Sequence, residues 1–367
     1  MRAIMKRFRH NIKPLQFIEV RFLKRKHAIK VSLCIVALII VAAAVIISFG
    51  GDIGVYDVFK KEPEEKTFIR WVDFTPDAEL INKAIKYDID TYGSDVHLNF
   101  VELLAYTASK CGGQFTARSS KDMDEFAERL ASGEKVSDMT QGMKSYDYYL
   151  EAYDAVLCGF VGEYQSEVID KATGEKYWES GYGLTVFSPI AKGFNYGHYK
   201  DFGNERTYGY KRKHEGNDLM GSVGTPIIAI ESGIVEEMGW NRFGGWRIGI
   251  RSFDNRRYYY YAHMRKDHPY VRSLKEGDIV TAGDVIGYMG LTGYSNTENT
   301  NNLQRPHLHL GLQLIFEEIQ KEGRNQIWID VYSIVEVLKA NKSAVVKDED
   351  SGEYRRVYGF KPEGIQP

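Results

Sequence analysis

Apolar residues between positions 76 and 165 recur every three or four residues, a spacing that predicts short amphipathic helices. Thr75-Pro76-Asp77 precedes the first stripe and offers a cap, a proline suited to the first turn and an acid for the helix dipole. Gly112-Gly113 ends the second stripe. The four stripes are Leu80, Ile81, Ala84 and Ile85; Leu98, Val101, Leu104, Ala105 and Ala108; Met123, Phe126, Ala127 and Leu130; and Tyr146, Tyr149, Leu150, Tyr153 and Leu157. We therefore expect a small α-helical domain over residues 76–165.

The pattern changes at about residue 183 to short runs rich in β-formers and separated by glycine, such as residues 225–230, 248–250 and 258–262. This pattern predicts a mainly β domain over residues 183–340. Residues 343–367 are charged and contain proline, so we expect a charged tail that is ordered only in part.

One stretch near the start, Val31 to Phe49, contains 19 residues without a charge and would span roughly 28 Å as a helix. It predicts a single transmembrane helix over residues 31–49, followed by a polar linker over residues 50–75. Basic residues precede the stretch and acidic residues follow it, so residues 1–30 are expected to be cytoplasmic and the rest extracellular. A cleaved signal peptide is the alternative, but the small residues Ala42-Ala43-Ala44 lie inside the apolar run and the basic leader is long.

The formal net charge of -2 hides a strong asymmetry. Residues 1–30 carry ten Lys or Arg and one Glu, which leaves the remainder of the chain near -11. Because the basic charge is confined to this segment, a nucleic-acid partner is not expected. A polytopic transporter is excluded by the single apolar span. Cys111 and Cys158 fall in the exported part, where either a disulfide or two free thiols is compatible with the sequence.

Candidate chemistry begins with His214-Glu215-Gly216-Asn217-Asp218, in which glycine favours a loop that lets the imidazole and the carboxylate converge. Alone this pattern is weak. Glu102, at the head of the second helix, could act as a glycosidase acid, but a solvated helix face is the simpler interpretation.

A second pattern lies in Pro306-His307-Leu308-His309-Leu310-Gly311-Leu312, where alternation predicts a strand with both histidines on one face and the leucines in the core. Period two also predicts that His263 shares a face with Tyr259 and Tyr261, while Tyr258 and Tyr260 face the other way. Two imidazoles and a carboxylate are a ligand set that suits zinc at a catalytic site, and two further histidines remain for proton transfer. The residues alone do not decide whether His307 or His309 is the ligand.

These motifs occur in an order that resembles the lysostaphin and LytM-type zinc endopeptidases, whose fold is called the duplicated hybrid motif. The resemblance covers residues 183–335 and rests on the two histidine patterns above, Tyr261-x-His263, the run from Gly277 to Gly287 and the turn from Gly290 to Ser295. It implies antiparallel sheets, zinc bound by His214, Asp218 and His309, and His263 and His307 as catalytic residues that act on the attacking water. The chain departs from the pattern at Arg206, which follows one extra residue, and in an insertion at residues 296–305 that could form a mobile rim or a surface decoration.

The resemblance further implies a function: hydrolysis of the peptide cross-links of peptidoglycan by a membrane-anchored zinc metalloendopeptidase. Its narrow groove would suit the extended stem peptides of the cell wall. The alternative is a non-catalytic scaffold of the same fold that binds cell wall or a partner, such as an amidase activator or part of a sporulation channel. Such proteins usually lack one of the site residues, and all five are present here.

Overall fold

The computed structural model of the protein describes residues 69–323 and 325–364. The basic segment 1–30 and the apolar stretch 31–49, expected to be cytoplasmic and transmembrane, lie outside the described residues, as does most of the expected linker. Among the residues that are described, no helix is both long enough and apolar enough to cross a membrane.

Five helices occupy the region where four were predicted. They are α1 (Ala78–Thr91), α2 (Phe100–Cys111), α3 (Ala117–Ala131), α4 (Val136–Thr140) and α5 (Tyr146–Leu157). Asp77 is the N-cap of α1 and accepts a hydrogen bond from the Leu80 amide at 2.8 Å, so Pro76 precedes the cap and does not enter the first turn. Gly112 closes α2 in the left-handed conformation, as its position after the stripe predicted. The short α4 buries no residue, which explains why no apolar stripe revealed it.

The β structure begins at residue 161, earlier than the change of pattern near residue 183. The strands of the first part are β1 (Val161–Ile169), β2 (Lys176–Leu184), β3 (Gly197–His198), β4 (Glu205–Arg206), β5 (Arg212–Lys213), β6 (Asn217–Met220), β7 (Pro226–Ile228), β8 (Gly233–Asn241) and β9 (Gly245–Ser252). Those of the second part are β10 (Arg257–Ala262), β11 (Ile279–Val280), β12 (Val285–Tyr288), β13 (His307–Leu314), β14 (Ile327–Ile329), β15 (Val345–Lys347), β16 (Tyr354–Arg356) and β17 (Phe360–Pro362). A 3-10 turn (Glu318–Gln320) and helix α6 (Tyr332–Leu338) complete the described elements.

The largest sheet has the strand order β11-β8-β9-β10-β13-β6-β3, with β14 also paired to β13. Each of these pairings is antiparallel, as the resemblance implied. Leu308, Leu310 and Leu312 of β13 are fully buried, so the strand turns one face to the core and the other to the histidine side. The alternation predicted for this strand is confirmed.

The helices and the largest sheet share one hydrophobic core. Buried residues of α1, α2, α3 and α5 belong to the same cluster as those of β8, β9, β10 and β13. The C-terminal segment, expected to be ordered only in part, forms the β15–β16 hairpin and adds β17 to the edge of β1 through residue 362. Cys111 and Cys158 are free thiols.

Candidate active site

Three atoms that could bind a metal ion lie close together beside the largest sheet: Nε2 of His214, Nδ1 of His309 and Oδ1 of Asp218. The two nitrogens are 2.8 Å apart, and the carboxylate oxygen lies 3.1 Å from His214 and 3.3 Å from His309. Donor atoms arranged tetrahedrally at about 2.0–2.1 Å from zinc lie roughly 3.3 Å from one another. The three residues therefore fit one zinc ion, with His214 and His309 also lining an open cavity on the remaining side.

The register of the sheet brings these residues together. His309 of β13 lies directly opposite Asp218 of β6, and cross-strand neighbours of this kind project their side chains from the same face. His214 arrives from the turn between β5 and β6. Gly216 makes that approach possible, because a Cβ at this position would lie 2.5 Å from the Leu310 carbonyl oxygen and 2.7 Å from Cε1 of His309.

A second layer of contacts orients His214 and Asp218. Nδ1 of His214 lies 3.0 Å from the Asp201 carbonyl oxygen and 3.3 Å from an Asp201 carboxylate oxygen; since both can only accept, the proton is on Nδ1 and Nε2 faces the cluster. Arg206 also donates to Oδ2 of Asp218 at 3.1 Å and to Asp201 at 2.8 Å. The sequence left the role of Arg206 open because it departs from the family pattern; in the structure Arg206 contacts Asp201, His214 and Asp218.

Packing shifts the pKa values of the three residues strongly. Burial opposes a charge on His214, but hydrogen bonds to Asp201 and Asp218 more than offset it and raise the pKa of His214 to about 9. Burial would also raise the pKa of Asp218, yet hydrogen bonds from His214 and His309 hold that pKa well below its usual range. Burial lowers the pKa of His309. The cluster thus attracts positive charge, and a metal ion would displace a proton from it.

His263 and His307 stand beside this cluster with their rings 4.7 Å apart. Nδ1–H of His263 donates to the Thr292 carbonyl at 2.8 Å, and Nδ1–H of His307 donates to the Arg305 carbonyl at 2.9 Å. In the neutral form each ring therefore keeps Nε2 as an acceptor. Burial, reinforced by the charges of His307 and His309, holds the pKa of His263 well below its usual range, so this ring is neutral at neutral pH.

The predicted orientation of His263 is wrong. Strand β10 ends at Ala262, and His263 has a left-handed backbone with φ of 60°, which breaks the alternation of the strand. Tyr259 and Tyr261 point into the core, whereas His263 lines the cavity together with Tyr260. A period-two pattern holds only while the backbone stays extended, so the break at residue 263 is invisible to it.

The cavity forms a groove of about 380 Å³ along the histidine side of the sheet. Tyr260 forms part of its wall and accepts a hydrogen bond from Nδ2 of Asn241 at 3.0 Å, which leaves the phenolic proton available for a ligand. Sequence patterns did not single out Tyr260, Asn241 or Trp328, because these groove residues come from separate strands. No described residue between 296 and 305 lines the groove, and Asn299 ties that insertion down by accepting from the Trp246 indole at 2.9 Å.

Comparison with known proteins agrees with this arrangement. Residues 212–322 match the family model "Peptidase family M23". This segment belongs to peptidase family M23. The M23 segment contains the five residues that the resemblance implied as ligands or catalytic groups, and the resemblance drawn from the motifs is confirmed at the level of the family.

Among curated relatives of the M23 segment, the L-Ala--D-Glu endopeptidase of Bacillus subtilis (strain 168) is 40% identical over 144 residues, which are 39% of this chain and 41% of the relative. Lysostaphin of Staphylococcus staphylolyticus is 39% identical over 97 residues, which are 26% of this chain and 18% of the relative. The chain thus spans less than half the length of either relative. A solved LytM structure from Ruminococcus gnavus ATCC 29149 covers 74% of this chain and 91% of its own at 22% identity, with a TM-score of 0.48.

Glu102 is not part of this site. It lies half-buried in a separate acidic cavity with Asp147, Glu151 and Asp154, where burial raises its pKa. The interpretation of Glu102 as part of a solvated helix face therefore holds only in part, because the side chain is half-buried. Asp154 on the rim is paired with Arg256, and the cavity holds no arrangement of groups that matches the histidine cluster.

Proposed function

We propose that the protein is a zinc metalloendopeptidase that hydrolyses the peptide cross-links of peptidoglycan. The observation that carries the proposal is the convergence of the His214, Asp218 and His309 donor atoms within 3.3 Å of one another, beside two further histidines and an open groove. Endopeptidase relatives of the M23 segment support the reaction class. The peptidoglycan substrate is extended to this chain by similarity.

In this proposal His214, Asp218 and His309 hold the metal, with His214 kept in the correct tautomer by the Asp201 carbonyl. Zinc, when bound, supplies Lewis-acid polarisation of the scissile carbonyl and makes water acidic enough to attack at neutral pH. The choice of His309 over His307 as ligand is supported by the distances: Nδ1 of His309 is 3.3 Å from Oδ1 of Asp218, whereas Nε2 of His307 is 3.7 Å away.

His263 and His307 are proposed to move the proton. Nε2 of one ring takes a proton from the attacking water as the new C–O bond forms, and the departing amine receives a proton as the C–N bond breaks. A neutral His263 is suited to the accepting role because burial keeps it uncharged. The Tyr260 hydroxyl, held by Asn241, is placed to donate to the oxygen that gains negative charge.

The test is digestion of purified cell wall by the full-length chain, followed by mass spectrometry of the released fragments. New amino and carboxyl termini within stem peptides or cross-bridges are expected. Binding to cell wall without release of any fragment, from protein that contains close to one zinc per chain, would instead favour the non-catalytic scaffold.

We also propose that the catalytic region is held at the outer face of a cell membrane by a single-pass helix over residues 31–49. Its support is the uncharged stretch with basic residues before it and acidic residues after it. Protease treatment of intact cells should then degrade the M23 segment and spare an epitope placed in residues 1–30. Protection of both would contradict this orientation.

A further inference from the structure

Arg212 occupies an unusual setting in the wall of the groove. Its guanidinium carbon lies 4.6 Å from the centre of the Phe243 ring and 5.3 Å from the centre of the Tyr294 ring. One guanidinium nitrogen also donates a hydrogen bond to the Tyr294 hydroxyl at 3.1 Å. A weaker hydrogen bond of 3.4 Å joins Arg212 to the Tyr208 carbonyl. The side chain is thus held in one orientation by aromatic faces and by a phenol, both of which are neutral.

Within the described residues, no carboxylate comes within 4.0 Å of Arg212. Other arginines near the groove are paired: Arg206 with Asp201 and Asp218, and Arg247 with Glu237 at 3.1 Å. Glu215, three residues along the chain, interacts electrostatically with Arg212 but lies beyond the distance of an ion pair. Arg212 is therefore a fixed cation that forms no ion pair with the described part of the protein.

The surroundings add to this imbalance. Arg242 stacks on the same Phe243 ring with its guanidinium carbon 4.4 Å from the ring centre, so two positive charges share one aromatic side chain. Tyr208 and Tyr210 are exposed beside it. Two like charges held close together are stabilised by an anion between or beside them, and a fixed guanidinium matches a planar carboxylate with two parallel hydrogen bonds.

The distance to the reacting centre limits where that anion can lie on a substrate. Arg212 bonds to the Tyr294 hydroxyl, and the Tyr294 ring is 5.7 Å from that of His263. An extended peptide advances by roughly 3.3–3.6 Å per residue. A carboxylate bound by Arg212 would therefore fall within about three residues of the scissile bond.

The geometry points to Arg212 as a specificity-determining residue that binds a free carboxylate of the substrate peptide. The groove accordingly takes an anionic peptide in preference to a neutral one. Two sources of such a group have the same chemistry: the α-carboxylate of an acidic residue linked through its side chain, and the carboxyl terminus of a short peptide. This inference rests on the proposed endopeptidase function and narrows its substrate.

The experiment compares synthetic stem peptides that differ only by carboxylate or carboxamide, in one pair at a side-chain-linked Glu and in another at the C-terminus. With full-length protein, kcat/KM for the carboxylate form of one pair is expected to exceed that of its carboxamide by roughly 10–100-fold, the range for a hydrogen bond to a charged group. The pair that shows the difference identifies the source of the carboxylate. Equal rates in both pairs would overturn the inference.

Variants separate recognition from support of the groove. Arg212→Gln should lower kcat/KM for the carboxylate peptide to that of the carboxamide while leaving the carboxamide within about 3-fold, and Arg212→Lys should fall between because it keeps the charge and loses the fork. Arg242→Gln is the matched comparison: it removes the second charge from the same ring but does not line the groove, so it should reduce the carboxylate preference by much less than Arg212→Gln does. An equal loss on both peptides in Arg212→Gln would assign Arg212 a purely structural role.

Failure of the proposed function has a different signature. If the wild-type protein cleaves no peptide, the same pairs are compared by calorimetric binding. A tighter Kd for the carboxylate form that disappears in Arg212→Gln would keep the carboxylate site and reject hydrolysis. Equal Kd values for both forms would reject the carboxylate site itself.

Discussion

Separate substitution of His309 and His263 by alanine divides the proposed ligand from the proposed proton carrier. Nδ1 of His309 is one of the three atoms that converge within 3.3 Å, so His309→Ala should lose both zinc and hydrolysis. His263→Ala leaves the three atoms in place and should keep close to one zinc per chain. Its kcat is expected to fall by roughly 10²–10⁴-fold, the usual contribution of a general acid or base.

The cost in stability can be bounded from the contacts of His263. The side chain is buried, and its loss leaves the Thr292 carbonyl without the 2.8 Å hydrogen bond that it now accepts. An unpaired buried acceptor costs about 1–3 kcal/mol. At roughly 2–4 °C per kcal/mol, the loss of this hydrogen bond alone should lower Tm by about 2–12 °C, so the folded state of each variant is checked by circular dichroism at the assay temperature.

Zinc content by elemental analysis, Tm by circular dichroism and hydrolysis by mass spectrometry are measured on the same preparations. His268→Ala is the matched control, because His268 lies five residues from His263, pairs with Glu353 at 3.0 Å and does not line the groove. It should retain zinc and activity. If folded His263→Ala loses zinc as completely as His309→Ala, the division of roles is refuted and His263 belongs among the ligands.

Two further predictions concern the metal centre. Zinc affinity should rise between about pH 6.5 and pH 9, because the pKa of His214 is raised to about 9 and its proton must leave before the metal binds. Calorimetry in buffers of different ionisation enthalpy should detect the released proton, and an affinity that does not change with pH would contradict the prediction. Gly216→Ala should weaken zinc binding, since its Cβ would lie 2.7 Å from His309. Gly162→Ala is the control, because its Cβ would make an ordinary 3.7 Å contact, and it should leave zinc binding unchanged. Equal zinc Kd values for the two variants would contradict the role given to Gly216.

Sequence patterns predicted the parts of the site that depend on local geometry. The alternation of β13 places His307 and His309 on one face because a strand has a period of two, and the structure keeps that strand extended from His307 to Leu314. The four apolar stripes predicted α1, α2, α3 and α5 because each of these helices buries one face. The same logic cannot detect α4, which buries none.

The remaining parts depend on contacts between residues far apart in the sequence. Arg206 reaches Asp218 across a turn, and Tyr260 is fixed by Asn241 from a different strand. Neither contact produces a periodic pattern in the sequence. His263 was placed on the wrong face because its position depends on a positive φ, which follows from the bonds that its backbone makes to Gly244 and Gly290.

The helical region contributes to the site through the back of β10, the strand that leads to His263. Arg257, the first residue of β10, donates twice to Glu231 at 2.9 Å and once to the Ala155 carbonyl in α5 at 3.0 Å. Tyr259 donates to the same Glu231 at 2.7 Å. A one-residue slip of β10 would exchange its two faces and break these buried bonds, so the helix helps to fix the register that presents Tyr260 and His263 to the groove.

The contact between α5 and β10 lies partly outside the M23 segment, and the two relatives align with 39% and 26% of the length of the chain. Removing the helices would leave the buried Arg257 without its Ala155 acceptor and would expose the buried apolar residues that the strands contribute to the shared core. A fragment limited to the M23 segment would therefore lose support directly behind β10. The helical region is then a structural part of the proposed catalytic unit, and the effect on activity that we expect from it follows from the register of one strand rather than from any residue of its own in the groove.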